Sequence, residues 1–556
     1  MKFILNSLKR PLLLLAAVIA PTLASEAATN VVTGALVGTN WWWNTNVYVM
    51  EGAVYVPTNG VLHIQAGTVV KARNRGGSPQ GTDIGALFVT RGGKIYAQGT
   101  AAQPIIFTAE KDTLSVPSNM GLYERGLWGG VAIMGEAPLN SAVNTTGQAS
   151  TPKYEVFEGL TDDVINGQNV HRFGGTNAED SSGVFRFVSI RHGGSQLQAN
   201  RELNALSLGG VGRGTVLEYV EAYATADDGF EFFGGTVNTR YLISAFNDDD
   251  SFDVDQGHSG KHQFWFAVQA PDKRNYGLEL NNQLNDLANT NGVAFLGSFQ
   301  VHNLTVVGAG TNSTGSASGD GGRNAAMVLR PSTGLKLWNS VLTEFGASGI
   351  ELETRNGVNP TNVVSEGYTA IRNTLFWNFR NSEAPNSVTN LTVQGAAAAE
   401  YFTNAAFGNQ VAGPLLSSIG RTNNGALDPR PAPGSPALTN FTLAPNDGFF
   451  TAANYAGAFG PNDSWANGWS TLAAYGVTGS GVPLFGPALT VVRSGADVVV
   501  TFPTISGRSY QVQGKGDIST NLTWQATGSA LPGTGGARTH TEALGTTNRF
   551  IRVLVQ

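Results

Sequence analysis

The chain has no cysteine among its 556 residues. That excludes a disulfide framework, a thiolate metal site and lipid attachment through cysteine. Charge is scarce as well: Asp, Glu, Lys and Arg together make up 13%, about half the ~25% of an ordinary globular protein. The formal net charge is −6 and no long basic run occurs, which argues against nucleic acid and anionic membrane surfaces as partners. Beyond the N-terminus no apolar run approaches the ~18 residues of a membrane span. No amphipathic helical period competes with the short β-rich runs. Stability must therefore come from backbone ladders and buried apolar stacks.

What the chain has in excess is glycine, 71 of 556 residues, against an average of about 7%. Asn, Thr and Ser take over the polar surface, as in turn-rich extracellular β-proteins. The length suffices for a large core and for two domains. The first 27 residues read as an export signal: Lys2, Lys9 and Arg10, an apolar core at 12–20, then small residues with Ala24 or Ala27 at the cleavage position. Their removal leaves 31 basic and 39 acidic residues, a formal charge of −8. The expected location is extracellular or on the outer cell surface, with the periplasm as the other compartment.

Runs of four to six β-favouring residues, broken by Gly, Asn and Asp, recur at 61–64, 68–71, 87–90, 94–97 and 105–108. GVLHIQAGT (60–68) and GKIYAQGT (93–100) echo each other, and 128–134 opens a further set of coils. The strongest echo is DDGFEFFGG (227–235), which returns 22 residues later as DDSFDVDQG (249–257), with Tyr219 and Tyr241 in the same register. About 22 residues is one coil of a parallel β-helix, and repeats of 20–50 residues mean solenoids. The pattern of a small residue followed by apolar, variable, apolar starts at Ala205, Gly229, Ser251, Gly277, Ala326 and Gly349. Alternation puts Phe230, Phe232, Phe252, Val254, Leu278 and Leu280 inside and the variable residues outside. The glycine- and serine-rich 308–322 reads as a loop inserted into a coil.

The segments GALFVTRGGKIYAQGTAAQPIIFTA, RGLWGGVAIMGEAPLN, LEYVEAYATADDGFEFFGGTVNTRYL, DDDSFDVDQG and YAGAFGPNDSWANGWSTLAAYG resemble exported right-handed parallel β-helix proteins of Gram-negative bacteria. These share the pectin-lyase-like fold, and the likeness spans about residues 45–475. It implies export and architecture more than chemistry. The expected fold is all-β: a cap at 28–50, a right-handed parallel β-helix at 51–475, a linker at 476–487 and a small β-sandwich at 488–556. That C-terminal module is similar to those appended to exported proteins for surface retention or carbohydrate binding.

In the repeat register the first outward position reads Ser207, Glu231, Asp253, Glu279, Val328, Glu351, and the second Gly209, Phe233, Asp255, Asn281, Arg330, Glu353. Three adjacent coils thus stack Glu231, Asp253 and Glu279 at about 4.8 Å, where each like-charge contact costs about 3.5 kcal/mol at an effective dielectric near 20. Raised pKa values, basic neighbours or a hard cation can relieve it. Ca²⁺ prefers carboxylate and carbonyl oxygens, and Asp227, Asp228, Asp249, Asp250 and Asp255 are near enough to complete its shell. The plainer alternative is that the Asp pairs only shape turns. No EF-hand spacing is present.

For catalysis, the lyase template needs a base beside a neutralised uronate. Lys261 is the candidate, with His258 and His262 near it in QGHSGKH. Paired acids for glycoside hydrolysis are the other option. His192 and His258 are expected at the surface or in turns. Trp41, Trp42 and Trp43 suit either a sugar platform or a plug for the solenoid's open end. The GGVGRG run at 209–214 has no following helix and is no dinucleotide site. The expectation is an exported, calcium-stabilised β-helix that binds cell-surface glycan or mediates surface contacts. A polysaccharide lyase or hydrolase acting on acidic glycan, and a purely structural surface protein, are the alternatives.

Overall fold

A computed structural model describes residues 28–478 and 490–555, apart from 75–83, 116–117, 141–153, 158–159, 199–200, 283–296, 314–315, 318–323, 332, 355–366, 380–403, 504–508, 516–524, 533–536 and 544–549. The expected leader at 1–27 and most of the linker at 476–487 lie outside the described residues. The start of that linker is packed, with Val477 buried and Thr478 bridged to Leu427.

Residues 28–411 form a parallel β-helix whose rungs present three faces. Face A stacks 53–56, Ala86–Val89, Val131–Met134, Leu206–Gly209, Phe230–Phe233, Phe252–Asp255, Leu278–Leu280, Met327–Leu329 and Glu351–Leu352, all parallel. Face B begins at Thr39–Trp42 and Val61–Ile64 and runs on through Lys94–Gln98. Face C carries the second half of the longer strands, such as 220–223, 242–245 and 265–268. The echo between 60–68 and 93–100 is a strand pair, with His63 opposite Tyr96. Residues 28–50, expected as a separate cap, are already laddered: Ala28–Ala35 pairs with Asn46–Val56. They are the first rung.

Period-two alternation sends one apolar residue in two to a common interior. Phe230 stacks on Phe252 at 5.5 Å and Phe252 on Trp265 at 4.3 Å, all fully buried. Burial of each such ring is worth about 1.5–3 kcal/mol. At Gly229 and Gly277 the absence of a side chain at the start of the face A strand is a steric requirement. A Cβ on Gly229 would lie 2.4 Å from the Ser244 Oγ and 2.8 Å from the Ser251 carbonyl.

The corner between faces B and C turns on a single residue in the left-handed region. Phe187, Tyr219, Tyr241 and Phe264 occupy it at φ 49°, 55°, 60° and 58°. That conformation costs a side-chain-bearing residue roughly 1–2 kcal/mol. Ring stacking along the column, at 4.3, 4.2 and 4.9 Å, offsets it. Later rungs use Asn303, Asn339 and Asn373, which tolerate the left-handed region better.

After the last rung the chain folds back over this corner and face C. Trp465 and Trp469 pack edge-on against Tyr241 and Phe187. Asn339 exchanges two hydrogen bonds with Thr442, and Gln263 two with Thr451. Buried Glu221 accepts from the Ser189 hydroxyl, the Thr471 N–H and hydroxyl, and the Leu472 N–H at 2.6–3.2 Å. We call residues 436–478 the strap.

In the C-terminal region Thr490–Ser494, Asp497–Pro503 and Ala537–Ala543 form one antiparallel sheet. Ser509–Lys515 forms another with Gln525–Ala526, Leu531–Pro532 and Phe550–Val555. Val500, Phe502, Tyr510 and Val512 from the two sheets share a small core.

Candidate functional site

Face A sets the column in place. Ser207 pairs with Glu231, Glu231 with Asp253, Asp253 with Glu279, Glu279 with Val328 and Val328 with Glu351. On earlier rungs the same column carries Tyr55, Phe88 and Ala132. An insertion before the 183–191 strand covers that apolar part through Phe157, Val170 and Phe173, and Phe157 and Phe173 also meet Phe233. Its Asn140 reaches farther along the solenoid, to Gln256 and Asn282.

The carboxylates converge in two trios. Ligand oxygens of Asp227, Asp228 and Asp249 lie within 4.8 Å of one another, as do those of Asp228, Glu231 and Asp253. Asp228 belongs to both. Its Oδ1 accepts from the Asp250 N–H at 2.8 Å, which fixes the rotamer. Asn204 donates to Glu231, and Asn275 to Asp249. Asp250 accepts from the Tyr276 N–H at 2.7 Å and meets the Glu279 carboxyl. Asp253 meets Glu231, while its own Oδ1 is buried with no hydrogen-bond partner.

Relief of the charge is divided. Arg330, buried on the next rung, is clamped by Glu279 and by Glu353, the latter at 2.9 Å. Burial works to lower its pKa, but the Glu279 charge and the Glu353 hydrogen bond outweigh it and hold the guanidinium protonated. Part of the column thus has a basic neighbour that the repeat alignment placed beside it without assigning it that role. Arg330 also acts on Asp253, whose carboxyl its charge works to lower. Asp228, Asp250 and Asp253 are pushed well above the usual carboxylate range, first by burial and then by the surrounding carboxylates. The chemistry of the donor set fits a hard divalent cation, which prefers carboxylate oxygens. The orphaned Asp253 Oδ1 fits it too, since a buried acceptor left unsatisfied costs about 1–3 kcal/mol. Asp227, Asp228, Asp249, Glu231 and Asp253 are the residues positioned to hold such an ion. Asp250 and Glu279 form the adjoining carboxyl pair, and Asp255 flanks them on face A.

Residues 37–470 match the profile of the pectate-lyase-like β-helix domain. The chain belongs to that family. No curated protein matches it. Within the β-helix, the acidic cluster lies on the outward side of the face A strands, where Asp228, Glu231 and Asp250 are nonetheless buried.

The other predicted residues of this pectate-lyase-like domain fall elsewhere. Lys261 is on face B, and its Nζ is 2.7 Å from Asp447 of the strap. That ion pair and two backbone N–H groups hold Asp447 down to about 2. Lys261 is therefore a strap anchor with its charge committed, not a free base beside the column. His258 and His262 are inside the solenoid, against Phe232 and Phe299, which corrects the surface placement of His258; its turn placement holds, with its N–H donating to the Asp255 carbonyl at 3.3 Å. The Nδ1 of His258 faces the Gly234 carbonyl at 2.8 Å and must donate. Its Nε2 then accepts from His262 Nε2 at 2.9 Å, and His262 Nδ1 accepts from the Thr239 hydroxyl at 2.9 Å. Thr239 in turn accepts from the Trp265 indole at 2.8 Å. This chain of neutral donors satisfies a buried polar pair. Burial pushes His258 down to about 4. His192 is also buried, between the Glu124 carbonyl and Tyr475.

The tryptophan triplet divides. Trp42 is buried and stacks on Tyr48 at 4.9 Å, plugging the end of the core. Trp41 and Trp43 point outward, stacked at 5.0 Å, and Trp41 also stacks on His63 at 4.1 Å. Both faces of Trp41 are covered by rings, so neither Trp41 nor buried Trp42 offers the open face that a sugar needs. Trp43 ends the stack.

Proposed function

We propose that this β-helix binds a divalent cation, Ca²⁺ by its ligand chemistry, at the two carboxylate trios that share Asp228, and that the bound ion presents the face to an acidic glycan. The reading places the protein outside the cell or at its surface, where free Ca²⁺ is abundant, with the two C-terminal sheets as a sandwich module for attachment. The observation that carries it is the register-locked stack Glu231–Asp253–Glu279, whose Glu231 and Asp253 converge with Asp228, while Asp228 converges in turn with Asp227 and Asp249. Membership of the pectate-lyase-like β-helix family agrees with a glycan-related role. Among the described residues no helix is long and apolar enough to cross a membrane.

An enzymatic reading finds less support. A lyase needs a cation-side base, yet Lys261 is paired with Asp447 and Arg330 is held by two carboxylates. Glycoside hydrolysis needs two carboxyls about 5–9 Å apart flanking a bond; the Asp250–Glu279 pair, in direct contact, does not supply that spacing. The test is binding of a uronate oligosaccharide followed with and without Ca²⁺. Saturable binding that chelator abolishes, with no unsaturated product absorbing in the ultraviolet, is expected. Binding that ignores chelator, or none in Ca²⁺, refutes the proposal.

A further inference from the structure

Two buried histidines lie under the strap, one at its tip and one at its far end. His302 is on face B opposite Gln263 and Trp338, on the outward side of its strand, since its neighbour Val301 is in the core. It is nonetheless only 3% exposed. The Trp338 ring stacks on it at 4.8 Å, and Phe450 of the strap packs against it at 4.4 Å. Neither ring nitrogen has a hydrogen-bond partner among the described residues. Around it the strap tip is fixed by Lys261 on Asp447, Gln263 on Thr451, and the Arg240 guanidinium 5.0 Å over the Phe449 ring.

At the far end Tyr475 follows the short helix Thr471–Ala474. Its hydroxyl donates to His192 Nε2 at 3.1 Å, because His192 Nδ1 faces the Glu124 carbonyl at 2.6 Å and must itself donate. Both rings are thus built in as neutral imidazoles. A buried imidazolium carries two donors and needs an acceptor for each. His302 has none, and a second proton on His192 takes away the acceptor of the Tyr475 hydroxyl. Burial pushes both histidines from 6.5 down to about 4. Against it work the Asp447 charge at His302, and at His192 the Glu124 carbonyl with the Asp112 and Glu124 charges; Arg191 works with it. Lys261 and Lys336 occupy the strands on either side of His302.

We infer that the strap is an acid-released latch: protonation of His302 and His192 frees residues 436–478 from the solenoid while the rungs stay folded. In the released strap both rings meet water and take up protons at their ordinary value. Closure is therefore complete above pH 6.5 and weakens as pH falls toward 4. Those pKa values set a limit of roughly 300-fold per histidine on the change in the ratio of closed to open. The Lys261–Asp447 pair does not share this window, since Asp447 is held down to about 2 and stays charged. The face A carboxyls, pushed up rather than down, act in the opposite direction. Opening uncovers the apolar outer side of face C, where Ile243, Phe266 and Val268 share a core with Phe459, Trp469 and Leu472 of the strap.

The experiment is hydrogen exchange read by mass spectrometry on the full chain between pH 7 and 4.5, with rates corrected for intrinsic amide chemistry. Peptides from 436–478 should open more readily as pH falls, by on the order of 50-fold per histidine at pH 4.5. The face A strands Leu206–Gly209, Phe230–Phe233 and Phe252–Asp255 should not follow. His302→Phe keeps the ring packing, and His192→Gln keeps one donor and one acceptor. Each should remove one histidine's share of the change, and the double variant nearly all of it. Strap exchange that is the same at both pH values in the wild type overturns the inference, and that comparison stands even where a variant fails to fold. So does opening of strap and face A together, which would trace the change to the interior pair His258 and His262. An undiminished rise in the double variant overturns it as well.

Discussion

Replacing Asp253 with asparagine should change the sign of its effect on stability when Ca²⁺ is added. The Asp253 carboxyl has ligand oxygens of Asp228 and Glu231 within 4.8 Å. Were all three ionised, each contact would cost about 3.5 kcal/mol at an effective dielectric near 20. Protonation is the cheaper escape. Holding a proton at pH 7 on a group whose ordinary value is 3.8 costs at most about 4 kcal/mol, at 1.36 kcal/mol per pH unit. Asparagine fills the same volume without charge and removes that penalty, so in chelator Asp253→Asn should be more stable than the wild type by about 1–4 kcal/mol. In saturating Ca²⁺ the order should reverse. The wild type then gains about 2.7 kcal/mol at a hundredfold excess over Kd, and the variant has lost a ligand. Denaturant midpoints in the two conditions, read with a constant m-value, measure both differences. A variant destabilised equally in chelator and in Ca²⁺ would mean that Asp253 only supports the turn.

Asp228, Asp250 and Asp253 are all pushed up, chiefly by burial, so above their ordinary 3.8 the folded chain binds more protons than the unfolded chain. In chelator this contribution to stability is complete below pH 4 and declines as pH rises toward neutrality; saturating Ca²⁺ should flatten the decline, and a contribution that grows with pH would contradict the shifts. Lys261→Ala should cost no more than about 1 kcal/mol, since its pair with Asp447 is partly exposed, and should leave uronate affinity unchanged. A loss of glycan binding or turnover there would restore Lys261 to the site. Thr239→Val should cost about 2–4 kcal/mol in denaturant unfolding, because it strands the Trp265 indole and His262 Nδ1 in the interior. A change under 0.5 kcal/mol would mean that the relay is not formed.

Much of the solenoid is legible because its period is short and strict. The spacing from DDGFEFFGG to DDSFDVDQG fixes which residue meets which, and the pairs Glu231–Asp253 and Asp253–Glu279 follow from counting alone. What counting misses is contact between distant segments. Lys261 meets Asp447 across 186 residues, and nothing periodic marks the strap that brings them together. The cover over Tyr55 and Phe88 comes from an insertion with no repeat of its own. QGHSGKH has the composition of a surface turn, yet His258 and His262 face inward because the chain re-enters the rung there and their ring nitrogens bond in series. In the C-terminal region Ala537–Ala543, ARTHTEA, is a strand without an apolar signal. It is held by pairing with Asp497–Pro503.

The central claim is that the face A carboxylates hold a divalent cation, and calorimetric titration with Ca²⁺ tests it most directly. Run at neutral pH in buffers of different ionisation enthalpy, it should show saturable binding with release of protons from the buried carboxyls. Asp228→Asn, which removes the one residue common to both trios, should abolish most of that binding while the fold persists. No saturable heat in the wild type, or undiminished binding in Asp228→Asn, would contradict the account.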